Sequence, residues 1–266
     1  MKKINIILLF IVTGLLLFQT SVAQCKMKNT AFNGGENISF NLYYRYGLIN
    51  AKGGVGSLIT TNTNYNGQDA YKISLMLNTT GMVGNIYTVQ DTLLSYVNKQ
   101  LQPLLFTKDA FEGNDYSKER QLYTYKGNSI SVRAMRKFNG ILKFDEVVKT
   151  GKCTYDYLSL IAYARNLNFS GLHPGENLYV QFLSGRSFVN MYIRYKGTSK
   201  VKADDGKTYE AIQLTMIILD DAFEDKEEAI NVALTNDSNK VPIIIDTKLK
   251  IGSIRAVMKS SKGLRH

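Results

Sequence analysis

The chain has no tryptophan, two histidines, two cysteines and three prolines in 266 residues. Each shortage excludes a class of function. Histidine is the usual general base and transition-metal ligand, and only His173 and the terminal His266 are available. A Ser-His-Asp arrangement would have to use His173, yet Gly171-Leu172-His173-Pro174 reads as a helix exit with no nucleophile elbow beside it. Cys25 and Cys153 lack C-x-x-C spacing, which removes the thioredoxin and zinc readings. Without tryptophan, a sugar-binding cleft would have to stack its ligand on tyrosine instead. Asp145, Glu146, Asp156, Glu36 and Glu176 are candidate glycosidase carboxylates by residue type only, and adjacent strand residues such as Asp145 and Glu146 point to opposite faces. Gly53-Gly54-Val55-Gly56 lacks the Lys-Ser/Thr of a phosphate loop and reads as a bulge or bend in a strand. The sequence therefore assigns no catalytic residue, cofactor or metal ligand, and the expectation is a protein that is not an enzyme.

Long apolar runs are missing too, except at the start. Lys2 and Lys3 precede an apolar stretch from Ile4 to Phe18, and Ser21 and Ala23 stand at the −3 and −1 positions of a cleavage site before Gln24. Residues 1–23 read as a signal peptide and 24–266 as a single β-rich domain in the periplasm or secreted. Val22-Ala23-Gln24-Cys25 also resembles a lipoprotein box, with Gln24 where a small residue is wanted, so a lipid anchor on Cys25 is the alternative. Export places both cysteines in an oxidising space, and a Cys25–Cys153 disulfide is expected; two free thiols, or a lipidated Cys25 with a free Cys153, compete with it.

Acidic residues are outnumbered, 22 to 33, for a net charge of +11. Removing residues 1–23 takes away two lysines and no acid, leaving +9. A basic exported surface suits acidic lipid headgroups or anionic glycans. Nucleic acid is not expected, since the cations are scattered along strands. Asp220 to Glu228 is a local reversal with six acids and one lysine, read as a hairpin tip rather than a calcium loop.

What is abundant is strand signal. Seventeen tyrosines and twelve phenylalanines suit sheets. Ile38, Phe40, Leu42, Tyr44 and Tyr46 alternate with polar residues, and similar segments recur at about 50–62, 70–80, 86–98, 103–112, 118–126, 129–137 and 141–149. Others follow at about 177–184, 187–199, 207–219, 229–236, 242–251 and 253–260. Few of the gaps leave room for a crossover helix, so the strands should be mostly antiparallel. Only Cys153 to Pro174 reads as a helix, with Thr154 as N-cap and Tyr157, Leu160, Ile161, Ala164 and Leu167 on one stripe. Leu158 and Ala162 lie off that stripe, which predicts a helix packed between layers.

The halves echo each other. Gly35-Glu36-Asn37 returns as Gly175-Glu176-Asn177, Gly67 as Gly206, and Pro103 as Pro242, at offsets of 139 to 140 residues. The prediction is a mainly β fold: a large curved antiparallel sheet or half-open barrel. It is made of two similar β units, about 35–112 and 175–260, with strands and one central helix at 113–170 between them. Such a sheet can hold an amphipathic envelope ligand, a lipid or lipoprotein, against Tyr157, Leu160, Ile161 and Ala164 of the helix. A structural or protein-interaction module of the envelope is the alternative, and a glycan hydrolase a distant third.

Phe32-x-x-Gly35-Glu36, Asp91-Thr92-Leu93-Leu94, Leu101-x-Pro103-Leu104, Cys153-x-Tyr155-Asp156-x-Leu158-Ser159 and Asp237 with Pro242 before Ile251-Gly252 together resemble a family of exported bacterial proteins known only as a domain of unknown function. The likeness is to the form found in gut Bacteroidetes. It covers nearly all of residues 24–266 and implies an envelope-associated β-rich protein with no catalytic residue to carry over. A looser resemblance, of architecture, is to periplasmic lipoprotein carriers of the LolA type.

Overall fold

The structure is a computed structural model that describes residues 25–46, 49–218, 230–248 and 253–266. Residues 1–23, read above as a signal peptide, the Asp220–Glu228 segment and Ile251-Gly252 lie outside them. Alternation of apolar and polar residues becomes fifteen strands in one sheet. The first eight form an up-and-down meander: β1 (Glu36–Tyr46), β2 (Ile49–Tyr65), β3 (Gln68–Thr79), β4 (Val89–Asn98), β5 (Pro103–Glu112), β6 (Asp115–Lys126), β7 (Ser129–Phe138) and β8 (Ile141–Thr150). After the two-residue β9 (Thr154–Tyr155) come β10 (Asn177–Ser184), β11 (Ser187–Lys202), β12 (Thr208–Ile218), β13 (Ile230–Thr235), β14 (Pro242–Lys248) and β15 (Ser253–Lys262). All neighbours pair antiparallel except β9, which runs parallel to β10.

The first and last long strands zip together, Asn37 opposite Lys262 and Arg45 opposite Ser253. That pairing rolls the sheet into a nearly closed barrel whose one seam lies between β8 and β10. Side chains bridge the seam: Thr150 Oγ1 donates to Gln181 Oε1 at 3.0 Å, Arg186 pairs with Glu146, and the Phe144 ring lies against Gly185. Because the strands alternate in direction, every hairpin turn falls at one of two ends. One end holds the chain termini and the start of β1; the other holds the β5–β6, β7–β8 and β10–β11 turns.

The halves' landmarks sit at matching places. Gly35 and Gly175, both at positive φ, precede β1 and β10; Gly67 and Gly206 turn β2 into β3 and β11 into β12; Pro103 and Pro242 open β5 and β14.

Two helices occur among the described residues, not one. The short α1 (Gly81–Ile86) caps the barrel end over Gly53, where a Cβ would stand 3.3 Å from Val83, so the glycine-rich stretch of β2 gives it room. A β1–β2 register shift next to it, between Leu42 and Tyr43, confirms a bulge there. The main helix, α2, runs Tyr157–Arg165, shorter than the expected stretch from Cys153 to Pro174. Its N-cap is Asp156 rather than Thr154: the Asp156 carboxylate accepts from the backbone N–H groups of Leu158 and Ser159, and Ser159 Oγ accepts from the Asp156 N–H. Thr154 is instead drawn into β9 opposite Gln181. Asn166 ends the helix, which leaves Leu167 beyond it.

α2 lies inside the barrel and parts its core in two. Leu158 and Ala162 join Ile38, Ile73, Phe106 and Val132 of the first strands. Leu160 and Ala164, with Leu167 and Phe169 beyond the helix, join Phe182, Met191, Leu214 and Val232 of the later ones. Each fully buried side chain of this size contributes about 1.5–3 kcal/mol, so the helix is the element on which both clusters close.

Candidate functional site

The inner faces of β4 to β7 change character along their length. Near α2 they carry Ser95 and Val97, Phe106, Tyr123, and Val132. Toward the end away from the termini, the same inward parity carries Asp91, Lys108 and Glu112, Ser117 and Glu119, and Arg136. Lys108 stands opposite Glu119, and Glu119 opposite Arg136. Arg136 Nε lies 3.6 Å from Glu119, and Lys108 Nζ 3.7 Å from Glu112. Across the seam the Glu146–Arg186 pair continues this band of alternating sign.

Buried polar atoms normally find partners. Here Asp91 is 9 % and Ser117 8 % exposed, yet Asp91 Oδ1 and Ser117 Oγ have none among the described residues, and Arg136 Nε has no partner there at hydrogen-bond distance. Burial first, then the like charge of Glu112, pushes the Asp91 carboxyl up to about 6, against the pull of Lys108. The folded state thus binds the Asp91 proton more tightly than the unfolded chain does. Stability is lost as pH rises from about 4 to about 6, and stays lost above. Asp91→Asn should therefore raise unfolding free energy by on the order of 2 kcal/mol at pH 8 and leave it nearly unchanged at pH 4, read from urea unfolding at both values. An equal gain at both pH values would contradict the assignment.

The floor of this mouth is closed. Gln121 Nε2 reaches the Leu183 carbonyl at 3.3 Å, and Tyr123 donates to Gln121 Oε1 at 2.8 Å. Ser95 donates to Asp156 at 2.8 Å. Burial raises the Asp156 carboxyl above its ordinary range, opposed by the hydrogen bonds it accepts from Ser159, Ser95 and Leu158. Of the helix residues expected to face a ligand, Tyr157 is the exposed one, at 39 %, with its ring between Phe106 and Phe182 and its hydroxyl 3.2 Å from Ser184, while Ile161 is half-buried. Leu160 and Ala164 are packed into the second core cluster, and Ile161 packs against the first.

The opposite end is sealed by ions. Arg165, at the end of α2, forks onto Glu36 at 2.5 and 2.8 Å, donates twice to the Asn239 carbonyl, and lies over the Phe32 ring. Both charges are buried. The Cys25–Cys153 disulfide is present, with Cα atoms 5.2 Å apart, so the Cys25 sulfur is not available for a lipid. Beside it a cleft of about 310 Å³ is lined by Tyr155, Tyr163 and Tyr179. A second, of about 360 Å³, lies on the outer face between Lys200, Gln213 and Arg255.

The remaining sequence candidates are scattered. His173 is exposed and contacts only Glu176, whose carboxyl its hydrogen bonds hold below the usual range. Asp145 points outward to Arg133 and Glu146 inward to Arg186. Among the described residues no group of three or more His, Cys, Asp or Glu is placed to hold a metal ion. The charged mouth itself was not singled out from sequence. Its signal is present as Lys108, Glu119 and Arg136 in the alternation, but which parity faces inward is decided by the closed sheet.

No curated protein matches the sequence. A solved structure of similar fold is the β-barrel-like protein of domain of unknown function DUF1849 from Brucella abortus, at TM-score 0.60 and 10 % identity over 87 % of this chain and 98 % of that one. A putative exported protein with a YmcC-like fold from Bacteroides fragilis covers 89 % of this chain and 98 % of its own, at 9 % identity and TM-score 0.35. The family described as protein of unknown function DUF3108 matches residues 39–259. By that match, which takes in the strands from β1 to β15, the chain belongs to the DUF3108 family.

Proposed function

We propose that this is an exported envelope protein that binds an amphipathic ligand, a lipid or the acylated end of a lipoprotein, without catalysing a reaction. One observation carries the reading. The inner wall of the barrel is itself amphipathic, apolar where it meets Tyr157 and Phe106, and charged at the mouth, where Asp91 and Ser117 are buried with unpartnered oxygens. A polar head seated among Asp91, Lys108, Glu119 and Arg136 would satisfy those atoms, while an apolar portion lies on the accessible Tyr157 ring. Carboxylates and cations alternate there, which suits a dipolar or zwitterionic head better than proton transfer. The disulfide agrees with an oxidising compartment and an exported chain. A second reading, an envelope module that takes a protein partner, draws on the seam edge of β8, which has no ladder partner on its outer side among the described residues.

Native mass spectrometry of the protein expressed with its own signal peptide, followed by lipid extraction, tests the first reading. A bound mass that dissociates as a lipid is expected, reduced in an Asp91→Leu, Arg136→Leu double variant. A bare protein mass, repeated after incubation with envelope lipids, would overturn it and leave the interaction module.

A further inference from the structure

The outer face of β6, β7 and β8 carries a feature the barrel does not need. Reading the ladder across the three strands, Lys118 stands opposite Lys137 and Lys137 opposite Leu142; Arg120, Met135 and Asp145 form the next row; Leu122, Arg133 and Val147 the third; Thr124, Ser131 and Lys149 the fourth. These residues have the parity opposite to the core residues Gln121, Tyr123, Val132 and Ala134, so all of them point outward. Lys143 adds a further exposed cation next to Leu142.

Two carboxylates answer these six cations. Asp145 is held by Arg133 through two contacts of 2.8 Å, and Asp109 on β5 lies 3.5 Å from Lys118. That leaves Arg120, Lys137, Lys143 and Lys149 without a carboxylate among the described residues, and the directly opposed Lys118 and Lys137 repel at some cost to the sheet. The apolar residues among them are unusually open: Leu142 is 54 % and Val147 58 % exposed. Both sit on β8, whose outer edge has no ladder partner among the described residues.

We infer that this face docks on an anionic lipid surface. Charge complementarity supplies the argument: uncompensated lysines and arginines meet lipid phosphates, and the apolar side chains of β8, level with them, enter the boundary between headgroups and acyl chains. A soluble polyanion would use the cations and leave Leu142 and Val147 in water. The inference draws on the proposed envelope location but not on the ligand in the barrel mouth, which the residues on this face do not line.

Co-sedimentation of the purified protein with vesicles of phosphatidylethanolamine and phosphatidylglycerol, against vesicles of phosphatidylcholine alone, provides the test. Binding is expected only to the anionic vesicles and is expected to weaken steeply as salt is raised. Lys137→Glu with Lys143→Glu should reduce it at least tenfold. Leu142→Ser with Val147→Ser should reduce it severalfold while preserving the salt dependence. All four positions are exposed, and circular dichroism will show whether the variants fold; should one not, the wild-type comparison of the two vesicle types still decides. Equal binding to both vesicle types, or to neither, overturns the inference. So does capture of dextran sulfate without capture of anionic vesicles, which would make the partner a soluble polyanion. Because the readout is sedimentation with vesicles rather than a bound lipid mass, it can fail while the barrel-mouth reading stands, and the reverse.

Discussion

Arg165→Met should lower the unfolding free energy by about 3–5 kcal/mol, the largest effect expected of any single substitution outside the apolar core. The mutation leaves the Glu36 carboxylate buried without its cation and the Asn239 carbonyl without two of its donors. Methionine keeps most of the volume against Phe32, so lost packing is a minor part of the change. The measurement is the urea midpoint of the variant against wild type. Adding Glu36→Leu to Arg165→Met should restore much of the loss, because an apolar pair no longer has a charge to desolvate. If the double variant were as unstable as the single one, the pair would be acting through shape and not through charge. The pair joins residues 129 positions apart and ties the end of the inner helix to the start of β1. Its removal should accordingly loosen the closed end of the barrel first, visible as faster hydrogen exchange around Glu36 and Asn239.

Cys25→Ser with Cys153→Ser ranks second, with an expected loss of about 2–5 kcal/mol. The bond closes a loop spanning 128 residues, long enough for the chain-entropy account to place the effect in the upper part of that range. It fastens the segment before β1 to the segment that leads from β8 into α2, so it restrains both ends of the first half of the sheet. Reductant added to the wild-type protein should reproduce the loss, and the double variant should then be insensitive to reductant. A variant that unfolds at the wild-type urea concentration would mean that the reduced chain keeps the same restraint by packing alone.

The elements of the fold were legible from the sequence to different depths. β4, β6 and β7 alternate cleanly, since each has one face on the core and one in water, and a two-residue period is a local property. α2 was visible because Leu158 and Ala162 on one side and Leu160 and Ala164 on the other are apolar at helical spacing, and its burial between layers followed from that breadth. Its start was misplaced because Thr154 and Asp156 are both good caps; the choice was made by β10, which takes Thr154 into a ladder. α1 gave no readable signal, being six residues with two glycines, too short to show a period.

The sequence by itself determined the strand-rich character, the mostly antiparallel order, the internal echo and the two cysteines available to pair. Each depends on neighbours along the chain, on composition or on there being only two cysteines. The tertiary structure alone decided which parity faces inward, that β1 meets β15, and that Asp91, Lys108, Glu119 and Arg136 share one mouth while Arg120, Lys137 and Lys149 share one outer face. Alternation in a strand is symmetric under exchange of its two faces. Only closing the sheet around α2 breaks that symmetry, and in the same step it brings Glu36 to Arg165.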